Sequence, residues 1–228
     1  MKILDYFKEL TGITLHIKPS VAHNKIQIFC DKVGIKKENL LNTLKSNSII
    51  RQKFVDYLTT NETFFFREFH QIKDMISQID KNKHIDILSL PSSSGEEAYS
   101  IAIALIEENF TNFKIVGVDI NNEMIQKAKK GIYTKNKLRN IPSTLISKYF
   151  TTQNDKYILD SYIKSFVTFK QLNLFDNAIY SIGKFDFIFC RNLFIYFDKE
   201  TKNKAKNILE KLKKDKNSKI FFGHADLF

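Results

Sequence analysis

From residue 85 to residue 223 the chain alternates short apolar runs with helical stripes, and that alternation restricts the folds open to it. Ile85-Asp86-Ile87-Leu88-Ser89-Leu90 predicts a short buried strand. Gly95-Glu96-Glu97 then opens a helix in which Ala98, Ile101, Ala102 and Leu105 keep the i, i+3, i+4, i+7 spacing of one face. A second strand follows at residues 114–119, then a helix through Met124, Ile125 and Ala128. Residues 167–169 and 185–190 predict two more strands, a basic helix carries Ala205, Ile208, Leu209 and Leu212 on one side, and residues 219–223 predict the last strand. Strands alternating with helices imply an α/β fold with a doubly wound, mostly parallel sheet. Residues 1–58 read instead as short helices, so the expected organisation is a helical domain over 1–58 and an α/β domain over 59–228. The polar, tyrosine-rich segment 148–168 predicts a small β-hairpin subdomain inserted on the rim of the sheet.

Composition narrows the function classes. The net charge of +11 invites a nucleic-acid reading. Only Arg51, Arg67, Arg139 and Arg191 are arginines among the 36 basic residues, and the rest are lysines spread along the chain. That distribution describes a solvated surface supplied with lysine, leaving at most attraction to an acidic partner. Where such a chain does use arginine, the planar fork is itself informative, because lysine cannot replace it in bidentate contacts. The longest apolar runs, such as residues 101–106, fall far short of a bilayer span, and the acidic Asp5 and Glu9 exclude a secretory signal at the start. Two distant cysteines, Cys30 and Cys190, make no disulfide framework and fit a reduced, cytoplasmic setting. The five histidines show no metal-ligand spacing, so no metal is expected.

In an open α/β sheet, ligands bind beyond the carboxyl ends of the strands. Three features of this chain fall there. Leu90-Pro91-Ser92-Ser93-Ser94-Gly95-Glu96-Glu97 is a small-residue loop entering a helix, but it lacks the Gly-Lys-Ser/Thr of a P-loop and the glycines of a dinucleotide fingerprint. Two carboxylates at the helix start suit a cationic ligand better than a phosphate. Asp119, ending the second strand, can accept both ribose hydroxyls of a nucleoside. Together they favour S-adenosylmethionine, a nucleoside bearing an amino acid and a sulfonium, over NAD or ATP. Residues 189–198, FCRNLFIYFD, place an arginine, an asparagine and a tyrosine where a reacting group would enter. Plain structural roles stay open for each: Glu96 and Glu97 as complements to the helix dipole, Asp119 as a turn residue, Arg191 as a rim cover and Tyr196 as a core aromatic.

In their order along the chain, TTNETFFFRE (59–68), SSGEEAYSIAIAL (93–105), VDINNEMIQKAKKGIY (118–133), LRNIPSTLISKYF (138–150), FKQLNLFD (169–176), FDFIFCRNLFIYFD (185–198) and FFGHADLF (221–228) resemble the chemotaxis-receptor glutamate methyltransferases, the CheR family. More faintly, TGITLHIKPS resembles that family's helical N-terminal domain. The resemblance implies a Rossmann-like S-adenosylmethionine-dependent methyltransferase that forms γ-methyl esters on glutamates of receptor signalling domains in sensory adaptation. It implies a cofactor pocket lined by Asn61, Thr63, Arg67, Glu96, Asp119, Asn173, Leu174, Arg191 and Asn192, with Arg67, Arg191 and Tyr196 facing the reaction centre. The implied partners are the cytoplasmic signalling domains of membrane receptors, with no nucleic acid and no direct membrane insertion, and a monomer is expected. Departures are Pro91 where relatives carry glycine or alanine, Ala98 where they carry proline, Asp215-Lys216-Asn217-Ser218 in place of Pro-Gly-Gly, and no further antiparallel strand after Phe228. The short hairpin near residues 151–158 points to a member that works without a receptor tail peptide.

A glutamate carboxylate, with a pKa near ~4.3, is already nucleophilic at neutral pH, so no general base is required. Positioning is the demand: the carboxylate must meet the methyl carbon in line at about 3–3.5 Å. In this reading Arg191 holds the incoming carboxylate, Tyr196 orients it, Arg67 neutralises a carboxylate of cofactor or substrate, Glu96 holds the cofactor ammonium and Asp119 its ribose. A nucleic-acid methyltransferase would need a Pro-Pro-aromatic or Pro-Cys motif, and Pro19, Pro91 and Pro142 supply neither. A binding scaffold without turnover is the other alternative. The stretch NETFFFRE completes the expectations: with about 100° per helical residue, its three phenylalanines cannot share a face, and Arg67 falls on the side of Phe64. That makes it a helical lid, wedged between helices and sheet, delivering Asn61, Thr63 and Arg67 to the cofactor.

Overall fold

The structure, a computed structural model, describes residues 2–226. Met1 and the last two residues of the FFGHADLF segment lie outside them. Four helices come first: α1 (Lys2–Thr11), α2 (Pro19–Val33), α3 (Lys37–Ser46) and α4 (Ser48–Leu58). Pro19 starts α2 where its missing N–H costs nothing, and Gly34 ends it in the left-handed conformation at φ 69. Asn47 caps α4 by accepting from the amides of Ile49 and Ile50. After α5 (Phe69–Ser77) the alternation begins: β1 (Ile85–Ser89), α6 (Glu96–Glu107), β2 (Phe113–Asp119) and α7 (Asn122–Lys130). An excursion follows through β3 (Ile132–Thr134), α8 (Ser143–Tyr149), β4 (Phe150–Gln153), β5 (Lys156–Leu159) and α9 (Ser161–Ser165). The chain then returns to β6 (Val167–Gln171), β7 (Phe187–Cys190), α10 (Lys199–Leu212) and β8 (Lys219–Phe222).

The central sheet has the order β6-β2-β1-β7-β8, with every pairing parallel. The order reverses at β1: the chain moves outward to β2 and β6 on one side, then to β7 and β8 on the other. That switch point leaves a crevice beyond the carboxyl ends of β1 and β7. Strands buried on both faces read as continuous apolar runs, and β7 shows why. Phe187 and Phe189 join the apolar cluster formed with α5, α6, α7 and the excursion, whereas Ile188 and Cys190 join the cluster formed with α10 and the first four helices. The N-terminal helices thus share one continuous apolar cluster with the sheet, through residues such as Phe54, Val55, Leu88 and Val116. No helix of the described residues is long and apolar enough to cross a membrane.

Two features differ from expectation. The hairpin within 148–168 is β4 and β5, turning at Asn154 and Asp155, both left-handed as a two-residue hairpin turn requires. It gains a third, antiparallel strand from outside that span, β3, giving the order β3-β5-β4. The NETFFFRE segment is not helical. Residues 61–64 run without regular structure, residues 65–68 form a turn, and Phe66 and Glu68 hold φ of 56 and 48. A bulky residue in the left-handed region departs from ordinary preference, which is why apolar spacing suggested a helix instead.

Gly117 in β2 lies directly beneath the ring of Phe169, and a Cβ there would come within 2.5 Å of two ring carbons and 3.1 Å of the Ser92 Cβ. Gly117→Ala therefore overpacks the strand below the site, with an expected cost of about 1–3 kcal/mol. Differential scanning calorimetry should show Tm falling by roughly 3–10 °C; an unchanged Tm would mean that Phe169 yields freely.

Candidate active site

Beyond the ends of β1, β2 and β7 lies a cleft of about 220 Å³, covered on one side by the strap of residues 59–68. Its walls include Asn61, Thr63, Arg67, Asp119, Arg191, Asn192 and Tyr196 among the expected residues. Leu174 and Asn173 line a smaller adjoining recess that shares Pro91, Asp119, Ile120 and Leu193 with the cleft. The Asn173 amide already works for the fold, donating to the Leu10 carbonyl at 2.7 Å and accepting from the Phe175 amide at 3.0 Å.

The loop after β1 is built around left-handed Ser93 (φ 45) and Gly95 (φ 92). A Cβ on Gly95 would meet the Phe169 ring at 2.9 Å and Ala128 at 3.0 Å, so only glycine lets α6 start this close to the sheet. The Ser93 amide donates to Asp119 Oδ2 at 2.7 Å, and the Asn121 amide donates to Oδ1 at 2.8 Å. These bonds fix the carboxylate at the end of β2. Burial nevertheless pushes its pKa up to about 6, against the lowering effect of those amides.

Glu96 does not line the cleft. It is fully buried, accepts from Ser94 Oγ at 2.8 Å and sits 3.3 Å from Lys137 Nζ. Its neighbour Glu97 takes the cleft side together with Ser100. Successive helical residues point about 100° apart, so one of two adjacent glutamates turns inward. Helical spacing does not say which, because Ser100, which also lines the cleft, follows Glu97 by three residues and Glu96 by four, and both spacings share a face. Burial raises the pKa of Glu97, opposed chiefly by Arg191 and by the hydroxyl of Ser89, which donates to Oε1 at 2.8 Å.

Arg191, only 5% exposed, is the buried cation of the site. Its Nη2 donates to the Arg67 carbonyl at 2.6 Å, and its Nε lies 3.3 Å from Glu97 and 3.8 Å from Glu68. Nη1 is buried without a hydrogen-bond acceptor, as is the hydroxyl of Ser93. Unsatisfied buried donors beside a cleft are costly unless a ligand completes them. The residues present suit a cofactor with a nucleoside, an ammonium and a carboxylate: Asp119 for ribose hydroxyls, Glu97 for a cation and Arg67 for a carboxylate, which leaves Arg191 for a second carboxylate in the cleft.

The strap is pinned along its length. The Phe65 amide donates to the Lys137 carbonyl at 2.9 Å, Lys137 Nζ donates to the Thr63 carbonyl at 2.7 Å, and the Phe66 amide donates to Ser100 Oγ at 2.9 Å. The Phe65 ring packs edge-on against Tyr133 at 4.8 Å and Phe150 at 5.4 Å. Arg139, which the sequence reading passed over, stacks its guanidinium 3.5 Å from the centre of the Phe64 ring, with the Arg67 guanidinium 5.7 Å from the same centre. Lys137 thus neutralises buried Glu96 and ties down the strap at once. Lys137→Met should destabilise the fold by on the order of 2 kcal/mol, below the cost of breaking a fully buried pair because Lys137 is partly solvated. Urea unfolding measures it, and no loss would mean that neither the ion pair with Glu96 nor the bond to the Thr63 carbonyl adds net stability.

Residues 61–228 match the family model described as CheR methyltransferase, SAM binding domain. The chain is 34% identical over 229 residues to a chemotaxis protein methyltransferase of Campylobacter jejuni, spanning 99% of this chain and 87% of the relative. It is 38% identical over 191 residues to the chemotaxis protein methyltransferase of Borreliella burgdorferi, spanning 76% and 67% of the two chains. With that of Escherichia coli it shares 34% identity over 199 residues, spanning 82% and 69%. A match covering the strap, all three strand-end loops and both sheets places the chain in a family: it belongs to the CheR methyltransferases.

Proposed function

We propose that this protein transfers a methyl group from S-adenosylmethionine to glutamate side chains on the cytoplasmic signalling domains of chemotaxis receptors, forming γ-methyl esters. The observation that carries this reading is the buried Arg191 guanidinium, whose Nη1 has no acceptor at a cleft also lined by Asp119 and Tyr196. When bound, the cofactor supplies a methyl group made electrophilic by a sulfonium. Asp119 holds the ribose hydroxyls, and Glu97, in place of Glu96, faces the ammonium. Asn61, Thr63 and Asn192 close the polar wall, and Leu174 with Asn173 borders the recess suited to the base.

The substrate glutamate arrives already ionised. Arg191 and Arg67 receive carboxylate oxygens, and Tyr196 sets the angle of approach. No side chain needs to remove a proton. Moderate rather than strong stabilisation of the carboxylate is required, because the reaction discharges it and binding the ground state too tightly would slow transfer. Arg191 meets that condition, since Glu97 and Glu68 already share its charge.

Arg191→Ala is expected to lower transfer of labelled methyl groups to receptor-containing membranes by orders of magnitude, while calorimetric affinity for S-adenosylhomocysteine falls far less. Base-labile label in the wild-type reaction identifies the ester; unchanged turnover in the variant would remove Arg191 from the chemistry. Asp119 gives a pH signature. Its free-state pKa of about 6 means that the ionised form, which accepts the ribose hydroxyls, is lost as pH falls through that value. Affinity for S-adenosylhomocysteine should therefore drop about tenfold between pH 7 and pH 5, measured by calorimetry, and a flat profile would contradict the assignment.

A further inference from the structure

Asp226, in the turn after β8, buries its carboxylate to 1% exposure yet forms no ion pair among the described residues. It does not line the cleft. It accepts backbone N–H groups instead: Oδ2 from Asn192 and, at 3.0 Å, from Gly223, and Oδ1 from Ile195 at 3.3 Å. Asn192 directly follows Arg191 and holds a left-handed backbone at φ 58, and Ile195 directly precedes Tyr196. The turn presses closely on this loop, since a Cβ on Gly223 would lie 2.9 Å from the Asn192 nitrogen and 2.9 Å from Asp226 Oδ2. Its far side is tied to the strap, where the His224 amide donates to Glu68 Oε2 at 3.2 Å, and the end of β8 is tied to α5, where Gln71 Nε2 donates to the Phe222 carbonyl at 2.8 Å.

We propose that Asp226 is a positioning residue for the Arg191–Tyr196 segment: by accepting the amides of Asn192 and Ile195 it sets the backbone from which the Arg191 guanidinium and the Tyr196 side chain enter the cleft. A carboxylate is the side chain suited to this task, because both of its oxygens accept and neither donates. An asparagine in the same place would turn an NH2 toward at least one of these amides and leave a buried N–H without a partner. The catalytic consequence rests on the methyl-transfer reading above; the backbone role does not.

Amide hydrogen exchange of the free protein, followed by mass spectrometry, tests the backbone role, and steady-state methyl transfer tests the consequence. In Asp226→Asn, protection of the peptide spanning residues 191–197 should fall at least tenfold while peptides from β1 and β2 keep theirs. The kcat should fall ten- to hundredfold, the scale expected for a misplaced reacting group, with less than a fivefold change in Kd for S-adenosylhomocysteine. Asp226→Glu, which keeps two accepting oxygens, should recover part of both signals. Unchanged exchange over 191–197 in Asp226→Asn overturns the proposal whatever the activity. So does wild-type kcat despite lost protection, or a kcat that falls only in step with the folded fraction measured by circular dichroism. Should Asp226→Asn fail to fold, Gly223→Ala displaces the turn while keeping the carboxylate; it should show the same selective loss, and wild-type exchange and turnover in it would overturn the assignment. A wild-type protein that does not bind S-adenosylhomocysteine would refute the methyl-transfer reading, and the exchange measurement would still decide the role of Asp226.

Discussion

One buried guanidinium joins the parts of this molecule that are far apart in sequence. Arg191 leaves the end of β7, reaches Glu97 at the start of α6, and donates to the carbonyl of Arg67 in the strap, with Glu68 on its far side. Removing a charge from water costs several kcal/mol unless it is paired and hydrogen-bonded, so the strap cannot drift without exposing that cost. The requirement that Arg67 present its carbonyl to Arg191 also explains the unusual turn before α5, where Phe66 and Glu68 are both left-handed. Phenylalanine anchors make the turn affordable. Phe65 is sealed between Tyr133 and Phe150, and Phe66 packs at 4.5 Å on Phe69. The Arg67 side chain is thereby left at the cleft.

Long apolar signals were legible in the amino-acid sequence and short or strained ones were not. The five parallel strands and α10 follow from runs of buried residues that have to satisfy two sheet faces or one helical stripe. β3 has three residues, too few for alternation to register, and its pairing with β5 depends on contacts formed only after the chain has turned. The strap was misread as helical because its apolar spacing carries no mark of positive φ. The site was legible wherever a residue's position followed from a strand end, as with Asp119, Arg191 and Asn192. It was illegible where rotation of a helix decides, as between Glu96 and Glu97, and where a backbone-binding carboxylate such as Asp226 lies outside the cleft.

The scarcity of arginine has a consistent physical explanation. Lysine suffices on a solvated surface, where only charge and a flexible stem are needed. Each arginine performs work that depends on the planar fork. Arg51 Nη1 donates to the carbonyls of Leu44 and Lys45, both at 3.2 Å, near the C-terminus of α3. Arg139 lies flat against Phe64, Arg67 approaches the same ring, and Arg191 bridges three segments. Neither Arg67 nor Arg139 forms an ion pair with a carboxylate among the described residues. Arg67 therefore enters the cleft without a carboxylate at ion-pair distance, among walls that also carry Glu97 and Asp119, a mixed lining unlike the uniformly basic groove that phosphates or nucleic acid would require.

Backbone strain is distributed to the same end. Of the non-glycine residues at positive φ, Asn109, Asn154 and Asp155 belong to types that tolerate the left-handed region and lie in turns away from the cleft. Of the others, Ser93 and Asn192 line it, and Phe66 and Glu68 flank Arg67 in the strap that covers it. Such residues cost about 1–3 kcal/mol each and persist only where neighbours over-determine them. Here the neighbours can be named: Ser100 for Phe66, Asp119 for Ser93, Asp226 for Asn192, and the carboxylate of Glu68 itself, which accepts from His224. Three of these four restraints are buried oxygen acceptors on side chains that propensity alone would not place there. A cleft assembled this way has its polar groups directed before any ligand arrives, and its shape is maintained by the acceptors behind the loops more than by the loops' own preferences.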